Sequence, residues 1–171
     1  MRAYMIASAL LMTGCATVPP TDVPISSKFS KSDVAWFNSA GTGKLEGSAF
    51  LRTRGGEIRT CAGYEVQLLP YSSYAAERMK FIYGSETSGH LVGPRRAWKF
   101  NPDEPDFYEF FKKTVCDANG EFEFKDLPAG DYYTTAKVTW DIGKVFDEGG
   151  VLMRKVSIVA NATETVSLTA N

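Results

Sequence analysis

Two tight reversals only a few residues apart constrain this chain more than any other feature. They lie in the stretch Thr114–Trp140, TVCDANGEFEFKDLPAGDYYTTAKVTW. Asn119-Gly120 is a tight-turn signal, because these two residues tolerate the positive φ that such a turn requires. Phe122 and Phe124 then alternate with Glu121, Glu123 and Lys125, the pattern of a half-buried strand. Leu127-Pro128-Ala129-Gly130 forces a second reversal, after which Ala136, Val138 and Trp140 recur at period two and point one way. The stretch therefore predicts three β elements joined by two turns.

The rest of the chain extends this theme. Alternation over Lys44–Arg52 places Leu45, Gly47, Ala49 and Leu51 on one face, and Val66 and Leu68 share a face of a strand that Pro70 ends. A strand is expected from about Glu109 to Cys116, and two more over Val151–Val159 and Thr163–Thr169 with Asn161 at the turn between them. Val34, Trp36 and Phe37 suggest a first edge strand. The period changes between Tyr74 and Ile82, where Tyr74, Ala75, Arg78, Met79 and Ile82 follow a three-to-four spacing behind Ser72-Ser73, so a short capped helix is predicted, packed through Ala75, Met79 and Ile82. Residues 83–105 are rich in Gly and Pro and read as a long loop. The fold class expected is all-β: a two-sheet antiparallel sandwich of about seven to eight strands, with a short helix and long loop inserted around 72–105.

Asp117, Asn119-Gly120, Phe122, Phe124, Leu127-Pro128-Ala129-Gly130 and Tyr132 together resemble the pattern of carboxypeptidase regulatory-like domains. The segment Gly43-Lys-Leu-Glu-Gly47-Ser-Ala-Phe50 is similar to the opening strand of that family. The resemblance implies a transthyretin-like (prealbumin-like) β-sandwich and carries no activity with it.

The first fourteen residues differ from the remainder. Arg2 precedes an apolar run from Tyr4 to Met12 of signal-peptide length, too short for a permanent membrane span. Leu11-Met12-Thr13-Gly14-Cys15 resembles the lipobox of bacterial lipoproteins, with Met12 where leucine is commoner. That resemblance implies cleavage after Gly14, lipidation of Cys15 and attachment to a membrane, since several acyl chains at about 0.8 kcal/mol per buried CH₂ hold firmly. Ala16 lacks the aspartate of an inner-membrane retention signal, which points to the outer membrane facing the periplasm. The division expected is a signal peptide over 1–14, a Pro-rich flexible tether over 15–31, and a β-sandwich domain over 32–171. Once Cys15 is acylated, Cys61 and Cys116 are the two remaining thiols of an oxidising compartment, and a disulfide between them is expected.

Charge and motifs then narrow the function. A net charge of −1 and a pI near 5.9 give no basic footprint for nucleic acid. Gly41-Thr42-Gly43-Lys44 is not a phosphate loop, because Asn38-Ser39 and Leu45 occupy places that need Gly and Ser/Thr. His90 is the only histidine, and Ser85 or Ser88 beside it lacks the strand-turn-helix setting of a nucleophile elbow. Asp103/Glu104/Asp106 and Asp147/Glu148 match no calcium-loop spacing. No cofactor, metal site or catalytic set is expected. The inserted loop is aromatic, and Tyr83, His90, Trp98 and Phe100 are the candidate binding surface. The expectation is a non-enzymatic, membrane-anchored periplasmic lipoprotein whose sandwich contacts a protein or envelope glycan. Its alternatives are a carbohydrate- or peptidoglycan-binding module, marked by coplanar exposed aromatics, and a secretion-system lipoprotein.

Overall fold

The computed structural model of the chain describes residues 20–92, 98–143 and 147–170; the signal segment and Cys15 lie outside them. The described chain enters as strand β1 (Thr21–Pro24), passes through helix α1 (Lys31–Val34) and a 3-10 turn (Ala35–Asn38), and runs out as β2 (Gly43–Arg52). Strands β3 (Ile58–Thr60) and β4 (Glu65–Pro70) precede helix α2 (Ser73–Tyr83). Then come β5 (Ser88–Val92), β6 (Trp98–Asn101), a second 3-10 turn (Pro105–Glu109) and β7 (Lys112–Val115). The last strands are β8 (Glu121–Leu127), β9 (Gly130–Asp141), β10 (Asp147–Ile158) and β11 (Thr163–Leu168).

The expected two-sheet sandwich forms. One sheet is antiparallel in the order β5-β10-β9-β4-β7; in the other, β2 is central, with β11 on one side and β8 and β3 on the other. The antiparallel expectation fails at two pairs. β11 runs parallel to β2, because the turn at Asn161 (φ 59°) drops the chain out of the five-stranded sheet into the second one. β1 pairs in parallel with β6 in a separate two-stranded ribbon.

Both reversals expected around Phe122 and Phe124 form, but each carries the chain from one sheet to the other rather than closing a hairpin. At the first, Asp117 Oδ1 accepts the N–H groups of Asn119 and Glu121, both at 2.9 Å, and Gly120 takes φ 81°. At the second, the Tyr132 hydroxyl donates to the Pro128 carbonyl oxygen at 2.6 Å and pins the corner.

Two cores result. Between the sheets lie Leu45, Ala49 and Leu51 of β2, Phe122 and Phe124 of β8, and Tyr132, Ala136 and Val138 of β9. The expected Cys61–Cys116 disulfide closes inside this core, with the Cα atoms 5.7 Å apart. The opposite face of the five-stranded sheet is covered as well: Leu69, Tyr133 and Met153 pack beneath Tyr74, Ala75 and Met79 of α2, with Val23, Phe100 and Phe107. The molecule is thus a sandwich with a third, helical layer.

Three departures from expectation follow, the first of them in the core between the sheets. Val34 and Phe37 are fully buried at a spacing of three, so the residues expected as a first edge strand form helical turns. Much of the expected 15–31 tether is folded: Val23 and Ile25 alternate into the second core, and Glu77 of α2 accepts the backbone N–H groups of Ser26 (2.9 Å) and Ser27 (2.8 Å). The expected loop over 83–105 contributes β5 to the main sheet and β6 to the ribbon. Helix α2 itself lies outside the sandwich as expected. Ser72 caps it by accepting from the Ala75 N–H at 3.1 Å, and Gly84 (φ 74°) closes its C-terminus. No helix among the described residues is long and apolar enough to cross a membrane.

Candidate functional site

Strand alternation decides what the five-stranded sheet offers to its helical layer. On β4, Val66 and Leu68 point between the sheets, so Glu65 and Gln67 point outward. On β9, Ala136 and Val138 point inward, so Thr135 and Lys137 point outward. Helix α2 roofs only part of this face. A groove of about 420 Å³ remains, floored by these four residues and walled by Arg78, Met79, Ile82 and Tyr83 of α2. Phe107, Tyr108 and Phe111 form a second wall, and Tyr64 also lines the groove.

The walls are held by a buried cation. Arg78 is 6% exposed; its guanidinium donates to Asp103 Oδ1 at 2.7 Å, to the Tyr74 hydroxyl at 2.9 Å and to the Tyr108 hydroxyl at 2.6 Å. Its planar face lies 4.0 Å from the ring centroid of Phe100 and 5.0 Å from that of Phe107. A guanidinium is suited to such a place, since its fork satisfies several acceptors while its face stacks on rings. Tyr108 also donates to Asp103 Oδ1 at 3.1 Å, so its hydroxyl is fixed while its ring is 48% exposed. Burial pushes the Tyr108 phenol up, and Arg78 partly offsets this.

The floor is polar and ordered. Glu65 Oε1 accepts from Gln67 Nε2 at 2.7 Å and Lys113 Nζ at 3.1 Å, and these contacts hold its carboxyl below the usual range. Lys137 Nζ lies 5.0 Å above the Tyr64 ring, and the Tyr64 hydroxyl accepts from Thr139 Oγ1 at 2.9 Å. The groove therefore presents aromatic faces next to an amide, a carboxylate and an ammonium. This combination can stack on the apolar face of a sugar ring while hydrogen-bonding its hydroxyls.

The four residues expected to form the binding surface do not share one face. Tyr83 lines the groove. Phe100 is buried under Arg78 and is a core residue, not a surface one. Trp98 is half-buried and meets Phe81 edge-on, with centroids 5.9 Å apart and planes at 89°, so these two rings do not make a flat platform. His90 pairs with Leu152, which faces the space between the sheets, whereas its neighbour Gly89 is the residue that packs on Tyr83. The His90 Nε2 atom is buried without a hydrogen-bond partner, and burial pushes its pKa down. Ser85 Oγ instead accepts the Thr87 N–H at 3.1 Å, so no serine–histidine pair forms. Among the described residues no group of three His, Cys, Asp or Glu side chains could hold a metal ion.

Sequence reading missed the floor. Its signal was present in the outward members of β4 and β9, Glu65/Gln67 and Thr135/Lys137, which alternate with buried residues. What could not be read was that a helix from elsewhere would turn that sheet face into a groove. A larger depression of about 640 Å³ lies around Glu46, Ser48, Glu121, Glu123, Thr165 and Ser167. Its Glu46 and Glu123 carboxylates are bound by Lys44, and the one ring lining it, Phe122, is 5% exposed, so it offers no aromatic face.

No protein-family model matches the chain, and no curated protein matches it. Among solved structures it is similar to a candidate carbohydrate-binding protein from Pseudomonas aeruginosa, at 26% identity and a TM-score of 0.67, over 84% of this chain and 98% of that one. It also matches a minor pilin of the Gram-positive pathogen Streptococcus agalactiae, at 18% identity and a TM-score of 0.38, over 77% of this chain and 46% of that one.

Proposed function

We propose that the protein is a non-catalytic glycan-binding module of the cell envelope, with the groove between α2 and the five-stranded sheet as its binding site. The observation that carries this reading is the Tyr108 ring, half-exposed on the groove wall and fixed by Arg78 and Asp103, beside the Glu65–Gln67 pair and Lys137. A pre-set ring with amide and charged groups close by loses little side-chain freedom when a sugar stacks on it. The similarity to the candidate carbohydrate-binding protein of Pseudomonas aeruginosa, over nearly all of that chain, supports the same ligand class.

The module is held at its membrane by lipid on Cys15, in the outer membrane and facing the periplasm, a reading supported by Leu11-Met-Thr-Gly-Cys15 and by Ala16. The ligand is then an envelope glycan, and the fold is that of the carboxypeptidase regulatory-like domains, supported by the Asp117–Tyr132 pattern. Titration of the protein with envelope polysaccharide and peptidoglycan fragments tests this. Tyr108→Ala and Gln67→Ala should each weaken binding by about 10-fold or more, as loss of a central contact does. Undiminished binding by both variants would move the site elsewhere.

A further inference from the structure

The fold leaves little chain between Cys15 and the sandwich. Residues 16–20 alone separate Cys15 from β1, because the segment expected as a tether is folded from Thr21 onward. At no more than about 3.6 Å per residue, the six steps from Cys15 to Thr21 span at most about 22 Å. A body tied this closely to a bilayer is kept within reach of the interfacial layer, and the side chains around the point of attachment decide whether it touches.

An aromatic pair lies beside that point, next to the exposed Asp22 and Lys99 of the ribbon. Thr21 stands opposite Trp98 in the β1–β6 ribbon. Trp98, half-buried, meets Phe81 edge-on, and Phe81 is 45% exposed while resting on Phe100 with centroids 6.0 Å apart. Lys80 and Lys99, next to them in sequence, are exposed. Tryptophan with an apolar body and a polar edge, accompanied by lysine, is the composition that settles at a water–bilayer boundary. Phe81 is also turned away from the groove: at 3.6 residues per turn it lies about 160° round α2 from Met79 and from Tyr83.

We propose that the Phe81–Trp98 face is a membrane-contact surface, seated on the lipid bilayer that holds the acyl chains of Cys15, so that the groove opens away from the membrane. This rests on the lipoprotein reading. The test uses the protein purified from membranes and reconstituted into phosphatidylethanolamine/phosphatidylglycerol vesicles with brominated acyl chains. Of the three tryptophans, Trp98 should supply the quenchable emission: the wild type is quenched, Trp98→Phe loses that quenching, and Phe81→Ser reduces it by half or more. Equal fractional quenching of wild type and Trp98→Phe, or none in either, overturns the proposal. Mass spectrometry of the same preparation separates the two readings. Acylated Cys15 with unquenched Trp98 sinks the membrane-contact surface alone, whereas unmodified Cys15 sinks the lipoprotein reading and this inference with it.

Discussion

Arg78 shows how much a single side chain organises here. Its position on a helical face is legible in the spacing of Tyr74, Arg78 and Ile82, but its partners Asp103, Phe100 and Tyr108 lie more than twenty residues further on, and nothing local announces them. Removing the carboxylate by Asp103→Asn leaves the guanidinium buried without its counter-charge. Because Asp103 is itself half-exposed, the expected cost is about 1–3 kcal/mol, read as a lower urea midpoint. Glu77 makes a second residue-scale prediction. Its carboxylate accepts the Ser26 and Ser27 N–H groups, which lowers its pKa from 4.5 to about 2. A lowered carboxylate pKa stabilises the fold above the unfolded value and loses that contribution as pH falls from about 4.5 towards 2. Over that window Glu77→Gln should flatten the fall in stability, and an unchanged pH profile would remove Glu77 as the clasp on residues 26–27.

Elements differ in how openly the sequence declares them. Helix α2 is legible because its cap, its period and its closing glycine agree, and because Ala75 and Met79 face one core. Met79→Asp places a charge in that core and should destabilise by on the order of 2–4 kcal/mol. Strands β8 and β9 are equally plain, yet the turns that bound β8 are corners between sheets; a turn's residues fix its dihedrals but not which sheet the next strand joins. The edge strand expected from Val34, Trp36 and Phe37 is replaced by helical turns, because Val34 and Phe37, three residues apart, are the pair that faces the core. β1 was hidden by prolines, which an edge ribbon tolerates. The disulfide was legible from parity and compartment alone. Reduction of Cys61–Cys116, which are 55 residues apart, should cost roughly 4 kcal/mol in the chain-entropy account. Urea unfolding with and without reductant measures it.

At the scale of the whole molecule, the sandwich was foreseeable from strand count and turn spacing, and its third layer was not. That layer is assembled from residues 21–29, α2, β6 and the second 3-10 turn, segments far apart in sequence whose side chains, Tyr74, Phe100 and Phe107 among them, meet in the second core. A chain starting at residue 32, the boundary drawn from sequence, should therefore be less stable and expose the second core to hydrophobic dyes, whereas one starting at residue 20 should match the parent. The groove is a product of the same layer, since α2 and the second 3-10 turn supply its walls over a sheet face that alternation alone makes polar. The most direct test of the account is NMR titration of the protein with envelope glycan fragments. The account predicts that amide shifts concentrate at Gln67, Tyr108, Thr135 and Lys137. Shifts confined to Ser48, Glu121 and Thr165 on the opposite sheet, or none at saturating glycan, would contradict it.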